Sequence, residues 1–385
     1  MGSAKITDEE LRDSIHELLQ AEGDLAVVRV GPQEQNSVFQ ALWQKLAALG
    51  WLGLAIEERY GGLGLGVREA SILYQALGRY LPPLPVMPTL LAAESVAAAG
   101  NEKQRSQWLP PLASGAIRAT LALPAGHLVL PTLRDDGSVN GSVANVLYAD
   151  RVDQLVLPVR STDGAVELAI VPSVDARVLI EPRPVIDLTR TLCDVHLVDF
   201  QMTADRLLPL TEHSWNALLD HASVALACDA VGGAMHILER TVAYMRTRVQ
   251  FDRPIGSFQA LKHRAATWKI LLESVGALTG HAVELVARAD GSRSAIASCA
   301  KFSACDAYVA VAGDAVQLHG GIGFTWEHEC HLFLKRAQLG AALFGCSTQH
   351  KERAAEFAFG EALGKPNTGR RLLTTSADRA KSRSA

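Results

Sequence analysis

The sequence predicts a mainly α-helical protein with a small β domain set between two helical ones, and three observations predict it. Apolar residues recur at helical spacing through the first third of the chain. Between about 119 and 208 the pattern changes to short Val-, Ile- and Leu-rich runs separated by turn residues. Three long stretches almost free of turn residues follow. At 385 residues with 48% hydrophobic side chains, the chain can bury the cores of two or three domains. The expected layout is a helical domain over 1–118, a β domain over 119–208, a four-helix bundle over 209–362 and a disordered tail over 363–385.

In the first domain, Phe39, Leu42, Leu46 and Leu49 fall on one helical face, and Gly50 supplies a stop. Arg68 to Leu81 repeats the pattern with Ile72, Leu73, Leu77 and Tyr80. Gly61, Gly62 and Gly64 suit a sharp turn between the two helices. Gly100 to Gly115 reads as a short capped helix that ends at Pro110 and Pro111. Strands are expected over 154–160, 166–172 and 195–200, with turn signals at Asp135–Ser138, Asn140–Ser142 and Ser161–Gly164. Stretches 214–249, 257–288 and 292–318 are rich in Ala, Leu and Val, and antiparallel packing into a bundle accounts for their length.

Net charge −4 gives no reason to invoke nucleic acid or a charged membrane surface. The apolar stretch Leu81–Gly100 is broken by Pro82, Pro83, Pro85, Pro88 and Glu94, which argues against a bilayer span. No basic stretch leads into an apolar run at the N-terminus, so a secretory leader is not expected and the cytoplasm is the expected compartment. Six cysteines without a CxxC pair or regular spacing read as free thiols.

Two strings carry chemistry. Arg248-Val-Gln-Phe-Asp-Arg-Pro-Ile-Gly-Ser-Phe-Gln259 joins two expected bundle helices, and Gln317-Leu-His-Gly-Gly-Ile-Gly-Phe-Thr-Trp-Glu327 closes the third. A guanidinium offers a planar fork of donors to a phosphate, and adjacent glycines let a ligand approach the backbone closely. A second reading of Arg248 is that it caps the end of its helix, favourable by about 0.3–1 kcal/mol through the macrodipole. Together with Tyr60-Gly-Gly-Leu-Gly and Trp108-Leu-Pro-Pro-Leu-Ala-Ser-Gly115, these strings resemble the motifs of the acyl-CoA dehydrogenase family over roughly residues 8–360. The resemblance implies that family's fold, FAD as cofactor and α,β-desaturation of an acyl-CoA thioester. It further implies that Arg248, Phe251, Phe258, Gln259, Gln317, Gly320 and Gly321 face FAD. In homotetrameric relatives, Gln317 and the glycines correspond to residues that reach the adenosine half of FAD from a neighbouring subunit. Asp252 stands where the family has Gly, which makes the geometry of that turn a point to check.

The family's catalytic base is a Glu in one of two places, and both are altered. The first corresponds to Phe344 in Leu343-Phe-Gly-Cys-Ser347. The second, 29 residues before Phe251, is Ala222, followed by Ser223 where relatives often carry Arg. Relatives also line the flavin ring with a Thr/Ser-Glu-Pro-x-x-Gly-Ser-Asp loop and a Trp-containing strand. Here Leu121-Ala-Leu-Pro-Ala-Gly-His127 and Val146-Leu-Tyr-Ala-Asp150 stand instead. The resemblance therefore implies a non-catalytic subunit of a heteromeric enzyme of the kind found in actinobacterial steroid degradation. A homologous partner subunit would supply the Glu, and an electron-transfer flavoprotein would accept the electrons. Two alternatives stand beside it: a self-sufficient dehydrogenase whose base is Glu212, Asp220 or Asp229, and a flavin-free structural relative. His328 and His331 have an i,i+3 spacing that a metal could use, but no metal is expected, and with Glu327 and Glu329 they read as solvated or helix-capping groups.

Overall fold

The computed structural model describes residues 7–23, 25–29, 32–123 and 129–359. The expected tail over 363–385 lies outside them, as do Pro124 to His127. The fold is mainly α with a central sheet. Five helices build the first part: α1 (Asp8–Glu22), α2 (Pro32–Ala48), α3 (Val67–Tyr80), α4 (Val86–Ala99) and α5 (Glu102–Ala113). Thr7 and Asn101 cap α1 and α5 in reciprocal capping boxes. Gly50 takes φ 75 just beyond α2. The stop expected at Pro110 falls later, because Pro110 and Pro111 lie inside the last turn of α5. A proline leaves the carbonyl four residues earlier without its helical donor, and Ser106 and Gln107 are exposed, so water can replace it.

Among the described residues eight strands form one mixed sheet: β1 (Ala119–Leu121), β2 (Thr132–Leu133), β3 (Ser138–Leu147), β4 (Gln154–Ser161), β5 (Val166–Pro172), β6 (Val178–Arg183), β7 (Leu192–Gln201) and β8 (Leu207–Pro209). The path runs β6-β7-β3-β2-β4-β5-β8, and β1 pairs in parallel with β4. The turn expected at Asn140–Ser142 is instead a bulge within β3, where Gly141 has φ 133 and the register with β7 shifts. The strand expected to continue to Asp150 stops at Leu147, since Tyr148 turns left-handed with φ 52.

The helices α6 (Glu212–Thr247), α7 (Gln259–Ala287) and α8 (Arg293–His319) form the bundle. Its fourth position is taken by two shorter helices, α9 (Cys330–Ala342) and α10 (Ser347–Phe359), both packed on α8. A small hairpin, β9 (Val249–Gln250) and β10 (Arg253–Pro254), joins α6 to α7. By length and composition α6, α7 and the segment containing α8 could each span a bilayer. The apolar stretch of α6 is 83% buried inside the protein, whereas that of α7 is only 33% buried.

The three parts share one continuous apolar core. At their junction Asp229 of α6 receives Arg336 of α9 at 2.6 Å and Arg190 of the β6–β7 connection at 3.1 Å. Arg336 also donates to Thr189 Oγ1 at 3.0 Å. All four side chains are buried, so this cluster fixes the sheet against the bundle. Burial alone would raise the Asp229 pKa, but the two guanidiniums outweigh it and hold the carboxyl below its ordinary range.

Candidate functional site

Two regions contain most of the residues singled out by sequence, and they lie on different parts of the molecule. The first is a cavity of about 500 Å³ between strands β1, β3 and β7 and the end of α9. Leu121, Leu130, Val143, Leu192, Leu339 and Phe344 are among its walls, and its polar side chains are Ser142 and Asn145. Among the described lining residues there is no carboxylate, imidazole, thiol, amine or guanidinium.

Phe344 sits at the cavity wall in a left-handed conformation, φ 55, followed by Gly345 at φ 110. An aromatic residue adopts that conformation only when its surroundings impose it. Here they do. Lys301, fully buried in α8, donates to Ala341 O at 2.9 Å and to Gly345 O, and His350 Nε2 donates to Phe344 O at 3.0 Å. Burial lowers the Lys301 pKa; burial, then the nearby Lys301 charge, pushes His350 down to about 3. The loop that would carry a base thus carries a phenyl ring, held by a buried cation and a neutral imidazole. Sequence reading missed Lys301, although a single cation among the alanines and other small residues of 295–312 is a visible signal.

Ala222 is buried in α6 and lies off the cavity wall, and the neighbouring Ser223 hydroxyl donates to Leu219 O at 2.6 Å. The alternative bases are committed elsewhere. Asp220 accepts from Arg353 at 2.6 Å, Ser294 at 2.8 Å and Arg293 at 3.2 Å, and Asp229 is held by its two arginines. Glu212 is exposed in the first turn of α6.

The second region is one end of the bundle. Arg248 terminates α6, its backbone N–H donating to Tyr244 O at 2.8 Å. Its side chain is exposed and makes no hydrogen bond or ion pair among the described residues. Phe251 and Asp252 form the hairpin turn with φ 54 and φ 60, the paired positive values of a type I′ connection. Asp252 therefore adopts the left-handed conformation available to the family's Gly, and the turn keeps a glycine-like course. The Phe251 ring is 85% exposed and meets Phe258 edge-on at 6.1 Å, while Arg253 lies 4.1 Å above the Phe258 ring. Gln259 is exposed at the start of α7.

The chain brings Gln317, Gly320 and Gly321 to the same end. Gln317 is exposed on the last turn of α8, and Gly320–Phe324 form a 3-10 turn beyond it. Gly320 has φ 60 and ψ −140, a region essentially restricted to glycine. Gly321 has no such constraint, and a Cβ placed on it would meet nothing within 4 Å. The protein's own packing thus leaves Gly321 unexplained, whereas close approach of an outside group would explain it.

His319, His328 and Cys330 also gather here, with one ligand atom of each inside 4.8 Å. One nitrogen of each histidine is already engaged: His319 Nδ1 donates to Ala315 O at 2.7 Å, and His328 Nδ1 accepts the Cys330 N–H at 3.2 Å at the start of α9. His331 is not one of the three: it stacks on Trp326 at 5.2 Å between ring centroids, and its Nε2 faces Trp326 O at 3.4 Å. Cys330 is buried, and burial pushes its thiol up to about 12.

Comparison with known proteins places these regions in context. The family model for the acyl-CoA dehydrogenase N-terminal domain matches residues 6–116, and that for the C-terminal domain matches residues 214–359. The chain is 31% identical over 334 residues to acyl-CoA dehydrogenase IpdE2 of Mycobacterium tuberculosis, covering 86% of this chain and 91% of that protein. It is 33% identical over 318 residues to acyl-CoA dehydrogenase FadE34 of the same organism, covering 82% of this chain but 42% of the relative. Among solved structures, the ChsE4–ChsE5 complex from Mycobacterium tuberculosis matches with TM-score 0.82 and 25% identity, over 95% of this chain and 100% of that one. A variant described as the Tcur3481–Tcur3483 steroid ACAD matches with TM-score 0.83 and 26% identity, over 92% and 98%. With both terminal domains and most of its length matched, the chain belongs to the acyl-CoA dehydrogenase family, whose cofactor is FAD.

Proposed function

We propose that this chain is the non-catalytic subunit of a heteromeric, FAD-dependent acyl-CoA dehydrogenase. It would present Arg248, Phe251, Phe258, Gln259, Gln317, Gly320 and Gly321 to the pyrophosphate and adenosine of an FAD whose ring lies in a homologous partner. The observation that carries this reading is an asymmetry within one chain. At the bundle end a guanidinium with no partner among the described residues, exposed aromatic rings and an unobstructed Gly321 suit an outside ligand. At the cavity no described wall residue can take a proton, and both base positions hold hydrocarbon side chains.

Bound FAD would supply the oxidant for α,β-desaturation of an acyl-CoA. This chain's residues would bind and orient it: Arg248 through charge-assisted hydrogen bonds to phosphate, Gln317 through its amide, and Gly320–Gly321 by leaving the backbone open. The α-proton would go to a carboxylate of the partner, with an electron-transfer flavoprotein as electron acceptor. Two further observations support a partner chain. The α7 face is apolar but largely exposed, as an unpartnered interface would be. One relative is more than twice as long as the part this chain matches, as expected if two such units were joined in it. A solved structure described as a steroid ACAD favours a steroid-derived acyl-CoA as substrate, and the compartment proposed for the reaction is the cytoplasm.

The test is expression alone and with a relative bearing Glu at either base position. The chain alone is expected to purify colourless and inactive, and the pair to show a flavin spectrum and desaturase activity. A yellow, active preparation of this chain by itself would sink the proposal.

A further inference from the structure

We infer that Tyr244 and His319 are a positioning pair, setting the two parts of the cofactor-facing surface in register: Arg248 on one side, Gln317 with Gly320–Gly321 on the other. The inference rests on the reading that this surface meets FAD.

The two parts come from different helices, 69 residues apart from Arg248 to Gln317, and no hydrogen bond between them is present among the described residues. Tyr244 connects them. Its carbonyl accepts the Arg248 N–H at 2.8 Å, the bond that ends α6 and aims the chain into the hairpin. Its ring stacks on His319 at 4.3 Å between centroids and 25° between planes, and its hydroxyl reaches toward His319 O at 3.5 Å. His319 directly precedes Gly320 and is buried.

His319 is fixed on its other sides as well. Nδ1 donates to Ala315 O at 2.7 Å and lies 3.4 Å from Cys330 Sγ, and the His328 ring is 4.6 Å away. Gly323 packs beneath it, since a Cβ there would meet Val316 O at 2.7 Å and His319 Cβ at 3.0 Å. A flat ring clamped on one helix and a flat ring one turn before the end of the other leave little freedom to slide or tilt. FAD spanning both parts needs them at a fixed separation, and misplacement by an ångström weakens such two-point recognition. Simple core packing is the competing account, and it predicts lost stability without lost affinity in the folded protein.

The experiment uses the complex recovered by co-expression with the Glu-bearing partner, and reads FAD affinity from the fluorescence of released flavin on dilution. Unfolding midpoints are measured in parallel. Tyr244→Leu is expected to raise the FAD dissociation constant about tenfold, Tyr244→Phe to stay within about twofold because the stack survives, and Arg248→Ala to weaken binding at least as much as Tyr244→Leu. The double variant Tyr244→Leu/Arg248→Ala is expected to lose less than the sum, because Tyr244 acts through Arg248 and its neighbours. If Arg248→Ala weakens FAD and Tyr244→Leu lowers only the unfolding midpoint, the positioning role is overturned while the subunit reading stands. If Arg248→Ala leaves FAD affinity unchanged, the reading beneath both is overturned.

Discussion

Gly320 and Gly321 are adjacent, exposed and chemically identical, yet backbone geometry gives them different tasks. Gly320 occupies a conformation closed to L side chains, so its glycine is needed to end α8. Gly321 has an ordinary φ and open space where a Cβ would go. Gly320→Ala is therefore expected to destabilise the protein by about 1–3 kcal/mol, whereas Gly321→Ala should stay within about 0.5 kcal/mol. The FAD content of the assembled complex should nevertheless fall in Gly321→Ala. Urea unfolding and flavin absorbance separate the two; a Gly321→Ala complex with full flavin would remove Gly321 from the cofactor surface. Phe344 shows the same logic in reverse. Its left-handed backbone is maintained by Lys301 and His350 although its side chain can do no proton chemistry. The loop keeps its shape without a base to present.

At the scale of elements, helices α6 and α9 meet the β6–β7 connection through Asp229, Arg190 and Arg336, and that junction depends on charge balance in a dry place. Removing one partner of a buried pair leaves the others uncompensated, at a cost of about 3–5 kcal/mol. Asp229→Asn is expected to lose that much in denaturant unfolding, with sheet and bundle ceasing to unfold together. A loss below about 1 kcal/mol would mean that water reaches the junction. Little of this was legible in the sequence. Arg190, Asp229 and Arg336 look like ordinary charges in three separate stretches, and only the crossing of α6 and α9 beneath the sheet makes them one group. The long bundle helices, by contrast, were legible because low-turn, Ala- and Leu-rich stretches of such length have few other ways to fold. Pro110 and Pro111 misled at the other end, since solvent can satisfy the carbonyls that they strand.

The whole molecule responds to pH through buried and half-buried imidazoles. His350 titrates near 6.5 in an unfolded chain but is pushed down to about 3 when folded, and His236 to about 4, burial being the largest cause for each. Between those values and 6.5 the unfolded chain takes up protons that the folded one refuses. Stability is thus full above about pH 6.5 and is lost as pH falls. The urea midpoint is expected to drop between pH 7 and pH 5, and to drop less steeply in His350→Gln, whose amide can still reach Phe344 O. An unchanged slope would take His350 out of the account.

The sequence by itself determined the family, the helix–sheet–helix order and the absence of a carboxylate at either base position, because these depend on periodicity, motif spacing and residue identity. Tertiary structure alone decided which residues lie together. It gathered Arg248 with Gln317 and Gly321 at one end of the bundle through Tyr244 and His319, and it enclosed Asp220 and Asp229 in arginines. Proximity between helices is set by packing in three dimensions, and no spacing along a single chain encodes it.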